Sequence, residues 1–477
     1  MLSLPRKDLY LNGCYTKANS YKTLYSPHTG EPIGEIAMAT KEDIKRAISY
    51  AVQAKDTMAN LPAYRRGEIL QKVSYLLAER KEEAAKIISL EAAKPITAAR
   101  SEIARTIETY QFAADEARRL RGETIPMDAS AMGGNRVAYT LRKPVGIVGA
   151  ITPFNFPFNL VAHKLGPAFA AGNPVILKPS SQTPLSAFFI ADLFREAGLP
   201  SGGLQIVTGP GSVVGDEMVL DPRVKVITFT GSPEVGKQIR NKAGLKRVIL
   251  ELGSNSGLYI DEGVELGPIL KRTVTGAFSF MGQVCISLQR IYVHRSLYHD
   301  FLKEFVKETQ TLTIGDPLDE KTEITSLISH KDVERIGAWI QEAIDAGARV
   351  LTGGIEGNIV EPTVIVDAPP KVKVCCQETF APVVVIAPVD SFAEAMEAIN
   401  DSNYGLQAGI YTNNMEHAFL AAEKLDVGGV MINDFPTFRV DQMPYGGVKD
   451  SGMGREGIQY ATEEMTELKL VCFNRNS

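Results

Sequence analysis

The sequence predicts an α/β fold: a doubly wound parallel sheet wrapped by helices, followed by a second α/β unit. Three observations carry that expectation. From Val145 onward short β-rich runs alternate with helical stretches; two of those stretches open on a Ser or Thr cap followed by proline; and 477 residues suffice for two or three domains, each with its own core. Composition fits a globular protein, with 44% hydrophobic and 22% charged residues, a mean hydropathy of -0.04, and 41 Gly and 26 Pro dispersed along the chain. Collagen-like and disordered classes are thereby excluded.

Taken in order, 41–60, 63–90 and 98–120 carry the apolar spacing of long amphipathic helices packed on a sheet. Strands are expected over 145–151, 174–178, 204–208, 224–230 and 248–252. Between them, the helix over 183–198 takes Thr183 as cap and Pro184 as its first residue, and closes at Gly198 before Pro200. The helix over 232–244 repeats the pattern with Ser232 and Pro233. Downstream, helices over 264–280, 297–310, 331–346 and 392–400 alternate with strands over 381–389 and 409–412, which reads as a second α/β domain. Two segments belong to neither unit: 137–141, and the alternating tail 466–473. Isolated strands of this kind are expected to find partners on another subunit. No internal repeat or low-complexity stretch occurs.

Lys+Arg 51 against Asp+Glu 56 leaves a net charge of -5, and no long run of like charge breaks the mixture. Nucleic acid and anionic membrane are therefore not the expected partners. The most apolar region, 145–177, is interrupted by Pro153, Pro157, His163, Lys164 and Pro174, so no transmembrane span is expected. Arg6, Lys7 and Asp8 occupy the place of a secretory signal's apolar core, which points to the cytoplasm. Five cysteines and six scattered histidines show no metal-ligand spacing, so no metal is expected. In a reducing compartment a lone cysteine is either buried filler or a nucleophile.

The segment Gly231-Ser-Pro-Glu-Val-Gly236-Lys237 follows a strand and resembles a P-loop, but Gln238 stands where the magnesium-ligating hydroxyl belongs. What remains is a glycine turn into a helix N-terminus, suited to a dinucleotide pyrophosphate. Glu251 ends the apolar run Val248-Ile-Leu, where a carboxylate either bonds backbone amides or is desolvated into a useful base. Cys285, in Gly282-Gln-Val-Cys285, is a plausible nucleophile that such a base could serve. Asn155, between aromatics and prolines past the first strand, either caps its own loop or holds an amide toward an oxyanion.

Together these segments resemble the aldehyde dehydrogenase superfamily from about Leu11 to Phe473. The motifs are Pro153-Phe-Asn155-Phe-Pro, Leu177-Lys178-Pro-Ser-Ser181-Gln-Thr-Pro, Phe229-Thr-Gly231-Ser232, Leu250-Glu251-Leu-Gly253, Gly282-Gln-Val-Cys285, Gln377-Glu378-Thr-Phe380-Ala-Pro and Pro444-Tyr-Gly-Gly-Val-Lys449-Asp-Ser-Gly. The resemblance implies a Rossmann-like cofactor domain over 1–118 and 142–250, a catalytic domain over 251–454, and bridging segments 119–141 and 455–477 that build a homodimer or homotetramer. It implies that Cys285 attacks the aldehyde, that Asn155 and the Cys285 backbone hold the oxyanion, and that Glu251 activates the hydrolytic water. NAD or NADP is the implied cofactor, with Thr152, Pro153, Lys178, Ser181, Gly231, Ser232, Gly253, Glu378 and Phe380 around it.

Two departures stand out. Ser181 occupies a position where members preferring NAD often carry an acid, so NADP is expected to be accepted. Ser254 replaces a common second glycine beside Gly253. For the substrate, Arg105, His163, Val284, Ile286 and Arg439 fall where members acting on short polar or anionic aldehydes make their contacts. These stretches are similar to those of lactaldehyde, phosphonoacetaldehyde and sulfolactaldehyde dehydrogenases. Val284 stands where several phosphate-binding members have arginine. Semialdehyde and non-phosphorylating glyceraldehyde-3-phosphate dehydrogenases would share the chemistry. Glu251 favours hydrolysis over acyl transfer to coenzyme A. A catalytically silent structural protein on this fold and a cofactor-free thiol hydrolase are the readings from other classes.

Overall fold

A computed structural model describes residues 5–475. Its larger sheet has eight strands, ordered Gly452–Met453, Arg247–Glu251, Val224–Thr230, Ile147–Ile151, Val175–Lys178, Leu204–Ile206, Leu9–Leu11 and Cys14–Thr16. The five from Arg247–Glu251 to Leu204–Ile206 are parallel. Ile147–Ile151 comes first in the chain among these five, and later strands add on one side and then the other. The order therefore reverses between Ile147–Ile151 and Val224–Thr230, and the crevice beyond their carboxyl ends is where such sheets take ligands. The strands are β-branched and buried on both faces, as helices on either side require.

A second sheet of seven strands has Gly257–Ile260 between Arg290–His294 and Gln407–Tyr411, all parallel. The helix Asn159–Ala171, buried along its whole length, lies against Ile96–Arg119 and Ile458–Glu464. Its small residues permit that closeness: a Cβ on Gly166 would stand 3.0 Å from the Ala113 methyl. Among the described residues no helix is long and apolar enough to cross a membrane.

Two expectations change, and a third gains a partner within the chain. The helix expected over 63–90 is two, Ala63–Glu79 and Lys81–Ala92. At Arg80 the backbone turns to φ -110°, ψ 23°, while its guanidinium reaches Glu196 at 2.7 Å. The sequence has no Gly or Pro there, so a distant ion pair at a helix end left no local mark. The helix expected from 183 begins at Leu185, because the Glu91 carboxylate accepts from the Leu185 and Ser186 N–H groups and supplies the cap that Thr183 was expected to give. The two strands expected to seek another subunit pair with each other, Arg136–Pro144 against Thr466–Asn474 over nine antiparallel positions, with Thr124–Ile125 on the far edge. This arm leaves Leu468, Leu470 and Phe473 exposed.

Candidate active site

The helix Gly267–Phe278 stops at Ser279, and Phe280, Met281 and Gly282 then follow with φ of 47°, 53° and 66°. This left-handed run turns the chain back to present Cys285. A Cβ at Gly282 would lie 2.2 Å from the Ala381 carbonyl oxygen, so only glycine fits. The turn is pinned by Ile328 N–H donating to Gln283 Oε1 at 3.0 Å and by Thr437 Oγ1 donating to the Ile286 carbonyl at 2.9 Å. The half-buried Cys285 has its Sγ 2.7 Å from the Tyr445 hydroxyl. Burial pushes the thiol up to about 11, against the pull of the Tyr445 hydrogen bond and the Arg439 charge. Arg439 itself lies over the Tyr445 ring, 3.7 Å from its centre.

Asn155 follows the strand Ile147–Ile151 on a loop held from below. The fully buried Lys94 ammonium donates to the Asn155 carbonyl at 2.6 Å and to Glu102 at 2.5 Å, while Glu102 accepts from the Phe158 and Asn159 N–H groups at 2.9 and 3.2 Å. Phe156 and Phe280 sandwich that ammonium at 3.8 and 4.3 Å. Sequence reasoning missed both residues. The signal was available: Glu102 is an acid on the apolar stripe of its helix, beside Ala99, Ile103 and Thr106. The Asn155 Nδ2 donates one hydrogen to the Gln283 carbonyl at 2.9 Å, which leaves its second for another acceptor close to Cys285.

Glu251 ends the strand Arg247–Glu251. Its backbone is fixed by Gly231 N–H donating to its carbonyl at 3.0 Å, but neither carboxyl oxygen has a partner among the described residues, and both are buried. A Cβ at Gly446 would lie 3.0 Å from Oε1, so that glycine keeps space beside the carboxyl. Burial, reinforced by the charge of Glu456, raises the Glu251 pKa well above the usual carboxylate range. For Glu456 burial works in the same direction, yet Lys164 at 3.2 Å and Arg439 at 2.9 Å hold it down at about 2. The two acids are thus driven apart, Glu251 toward its protonated form and Glu456 toward its ionised one.

A cleft of about 810 Å³ opens at the reversal point of the larger sheet, lined by Thr152, Pro153, Lys178, Ser181, Gly231 and Ser232 among others. Ser232 caps the helix Pro233–Lys242, accepting from Val235 N–H, so that a helix N-terminus faces the cleft. Lys178 makes only a 3.3 Å bond to the Pro179 carbonyl, and burial lowers its pKa to about 8. Glu378 accepts from Ser254 N–H at 3.0 Å, and a Cβ on Gly253 would come within 2.3 Å of its carboxylate. Burial pushes Glu378 up to about 7. Phe380, at φ 48°, packs edge-on against Phe154 with centroids 5.8 Å apart. The Ser254 hydroxyl is 3.2 Å from that of Ser256.

On the other side of Cys285 lies a smaller pocket of about 280 Å³ bounded by Arg105, Leu160, Val284, Ile286, Arg439 and their neighbours. Here Arg105, His163 and Arg439, expected to contact a polar or anionic aldehyde, are each engaged with other side chains. Arg105 is bidentate to Asp441 at 2.7 and 3.1 Å, and Arg439 donates to Glu456. His163 is behind the pocket wall, its Nε2 2.8 Å from Asp441 and 3.1 Å from Arg439; burial and the Arg439 charge lower its pKa, so it is neutral at pH 7. The unanticipated acids are Asp441 and Glu456, both nearly inaccessible. The Arg439 Nε remains buried without a partner among the described residues.

Known proteins arrange themselves around the same features. The model of the aldehyde dehydrogenase family matches residues 15–471. A 3-sulfolactaldehyde dehydrogenase of Priestia aryabhattai is 44% identical over 468 residues, covering 98% of each chain. The crystal structure of aldehyde dehydrogenase 21 from Physcomitrella patens, in complex with the reaction product succinate, superposes with a TM-score of 0.97 at 38% identity, covering 99% of each chain. A glyceraldehyde-3-phosphate dehydrogenase from Methanocaldococcus jannaschii complexed with NADP gives 0.92 at 40% identity, covering 96% of this chain and 100% of that one.

Proposed function

This chain belongs to the aldehyde dehydrogenase family, and on that premise we propose that it oxidises a small polar or anionic aldehyde to the free acid with NAD or NADP. One observation carries the reading: a buried carboxyl with no partner among the described residues, Glu251, whose charge acts on the thiol of a small pocket, Cys285, in a fold that also holds a cleft fit for a dinucleotide. The cleft offers what such a cofactor needs, in a capped helix N-terminus and the sparsely bonded Lys178 ammonium.

In this proposal Lys178 and Glu378 hold ribose hydroxyls, Gly231 and Ser232 face the pyrophosphate, and Phe380 and Thr152 bound the nicotinamide. Cys285 gives up its proton to solvent in the pocket, and the Tyr445 hydroxyl donates to the thiolate that remains. The thiolate sulfur attacks the carbonyl carbon, and the free Asn155 N–H and the Cys285 backbone N–H take the oxyanion. The chemistry supplied by the bound dinucleotide is acceptance of a hydride, which leaves an acyl thioester on Cys285. Glu251 then takes a proton from water, the hydroxide adds to the thioester, and the acid leaves with the thiolate restored.

The substrate class is supported by the pocket's size and by the partly exposed Arg105 and the spare Arg439 Nε on its wall. Of the relatives named above, one is a 3-sulfolactaldehyde dehydrogenase, one holds succinate and one is a glyceraldehyde-3-phosphate dehydrogenase. The expected result is that kcat/KM for sulfolactaldehyde and succinic semialdehyde exceeds that for hexanal and benzaldehyde, and that Arg105→Ala or Arg439→Ala removes about tenfold of the advantage, ~1–2 kcal/mol. Higher values for the apolar aldehydes, or unchanged anionic ones in both variants, would overturn the substrate class.

For the cofactor, Ser181 lines the cleft with a hydroxyl where an acid would repel a 2′-phosphate. Ser181→Glu is expected to lower kcat/KM for NADP by roughly 10–100-fold, corresponding to ~1–3 kcal/mol, and to leave NAD within a few-fold. Equal losses with both would remove Ser181 from the ribose. Homo-oligomerisation through the exposed apolar residues of the arm, and a cytoplasmic setting consistent with five free thiols, complete the proposal.

A further inference from the structure

We infer that Lys22, on the N-terminal strand Tyr21–Tyr25, is a specificity residue that binds the 2′-phosphate of NADP at the mouth of the cleft. The inference rests on the dinucleotide reading of that cleft and adds a residue from outside the cofactor sheet.

Lys22 lines the same cleft as Lys178, Ser180 and Ser181, although it stands about 160 residues away in sequence. A chain of backbone contacts brings it there. Lys22 pairs with Ile36 across the ladder between Tyr21–Tyr25 and Pro32–Ala37. One residue beyond that strand, Met38 N–H donates to the Ser20 carbonyl at 2.9 Å. Ala39 N–H then donates to the Thr208 carbonyl at 2.8 Å, and Thr208 Oγ1 donates back to the Ala37 carbonyl. The next residue, Gly209, accepts from Ser181 Oγ at 3.4 Å. The small N-terminal sheet is therefore tied to the loop that carries the serines, and Lys22 projects from it at the cleft's edge.

Charge balance supports an anionic occupant. Asp216 is the one carboxylate lining this cleft, and Lys242 already holds both its oxygens at 2.9 Å. Among the described residues the Lys22 ammonium has no hydrogen bond or ion pair, and Lys178 has only its carbonyl contact. Two cations without counter-ions among the described residues thus line the same cleft as Ser180 and Ser181. A phosphomonoester, with about two negative charges and three acceptor oxygens, matches that set, whereas a neutral ribose hydroxyl leaves both charges uncompensated. Because Lys22 is exposed, its contribution is screened as salt rises.

The test needs no turnover. Calorimetric titration with adenosine 2′,5′-bisphosphate and with 5′-AMP compares the same nucleoside with and without the 2′-phosphate. The wild type is expected to bind the bisphosphate more tightly. Lys22→Ala is expected to weaken it about tenfold while changing 5′-AMP less than twofold, Lys22→Arg is expected to keep most of the affinity, and added salt is expected to shrink the wild-type difference. Equal changes for both ligands in Lys22→Ala, or none, would overturn the assignment of Lys22 and leave the dinucleotide cleft standing. A wild type that binds neither nucleotide would overturn the cleft reading as well.

Discussion

Cys285→Ala is expected to abolish aldehyde oxidation, with a fall of about 10⁴-fold or more, while the dinucleotide still binds. The reason is sequential: without a covalent adduct the substrate carbon never becomes the tetrahedral alkoxide from which a hydride leaves readily. Nothing in the dinucleotide cleft depends on the sulfur. Cys285 is not among the residues that line it, and lines the other pocket. The checks are absorbance of reduced nicotinamide with a saturating aldehyde and fluorescence titration of NADPH. Turnover in the variant above about one part in a thousand would exclude Cys285 as the nucleophile.

Glu251→Gln separates the two halves of the reaction. One equivalent of reduced cofactor is expected to appear in a rapid phase, followed by steady turnover about 10²–10⁴-fold slower, with the acyl group recoverable on Cys285 by mass spectrometry. The raised pKa of Glu251 adds a sign. Its base form grows in as pH rises through that raised value, so wild-type steady-state rate climbs with pH in a range where an ordinary carboxylate would already be ionised. The glutamine variant loses that limb. A variant with the wild-type steady rate, or one with no rapid phase, would take water activation away from Glu251.

The residues proposed for the chemistry are legible in the chain because they sit on local motifs. Asn155, Glu251 and Cys285 each follow a strand end or a glycine turn, and such places announce themselves through Pro, Gly and the end of an apolar run. The parallel sheet was equally plain in its buried β-branched runs. What stayed hidden was pairing at long range. Asp441 neutralises Arg105 across 336 positions, and Lys164 meets Glu456 across 292. A lone arginine in a sequence looks like a free cation; only the fold reveals the carboxylate that claims it. The break at Arg80 and the cap supplied by Glu91 were hidden for the same reason, since each depends on a residue about a hundred positions away. Lys94 and Glu102 show the opposite case, in which an acid on an apolar stripe was a sign left unread.

The left-handed run before Cys285 sets two kinds of selection against each other. At positions 280 and 281 backbone ease favours glycine or asparagine, while filling the interior favours the Phe and Met found there, both buried. Holding a non-glycine residue in that region costs roughly 1–3 kcal/mol, and burying a side chain of this size contributes about 1.5–3 kcal/mol. The terms are close to equal, so the shape of this turn is conditional on the packing that surrounds it. Glycine at either position would relieve the strain and forfeit the packing, so the direction in which Cys285 is presented rests on two buried side chains as well as on the backbone.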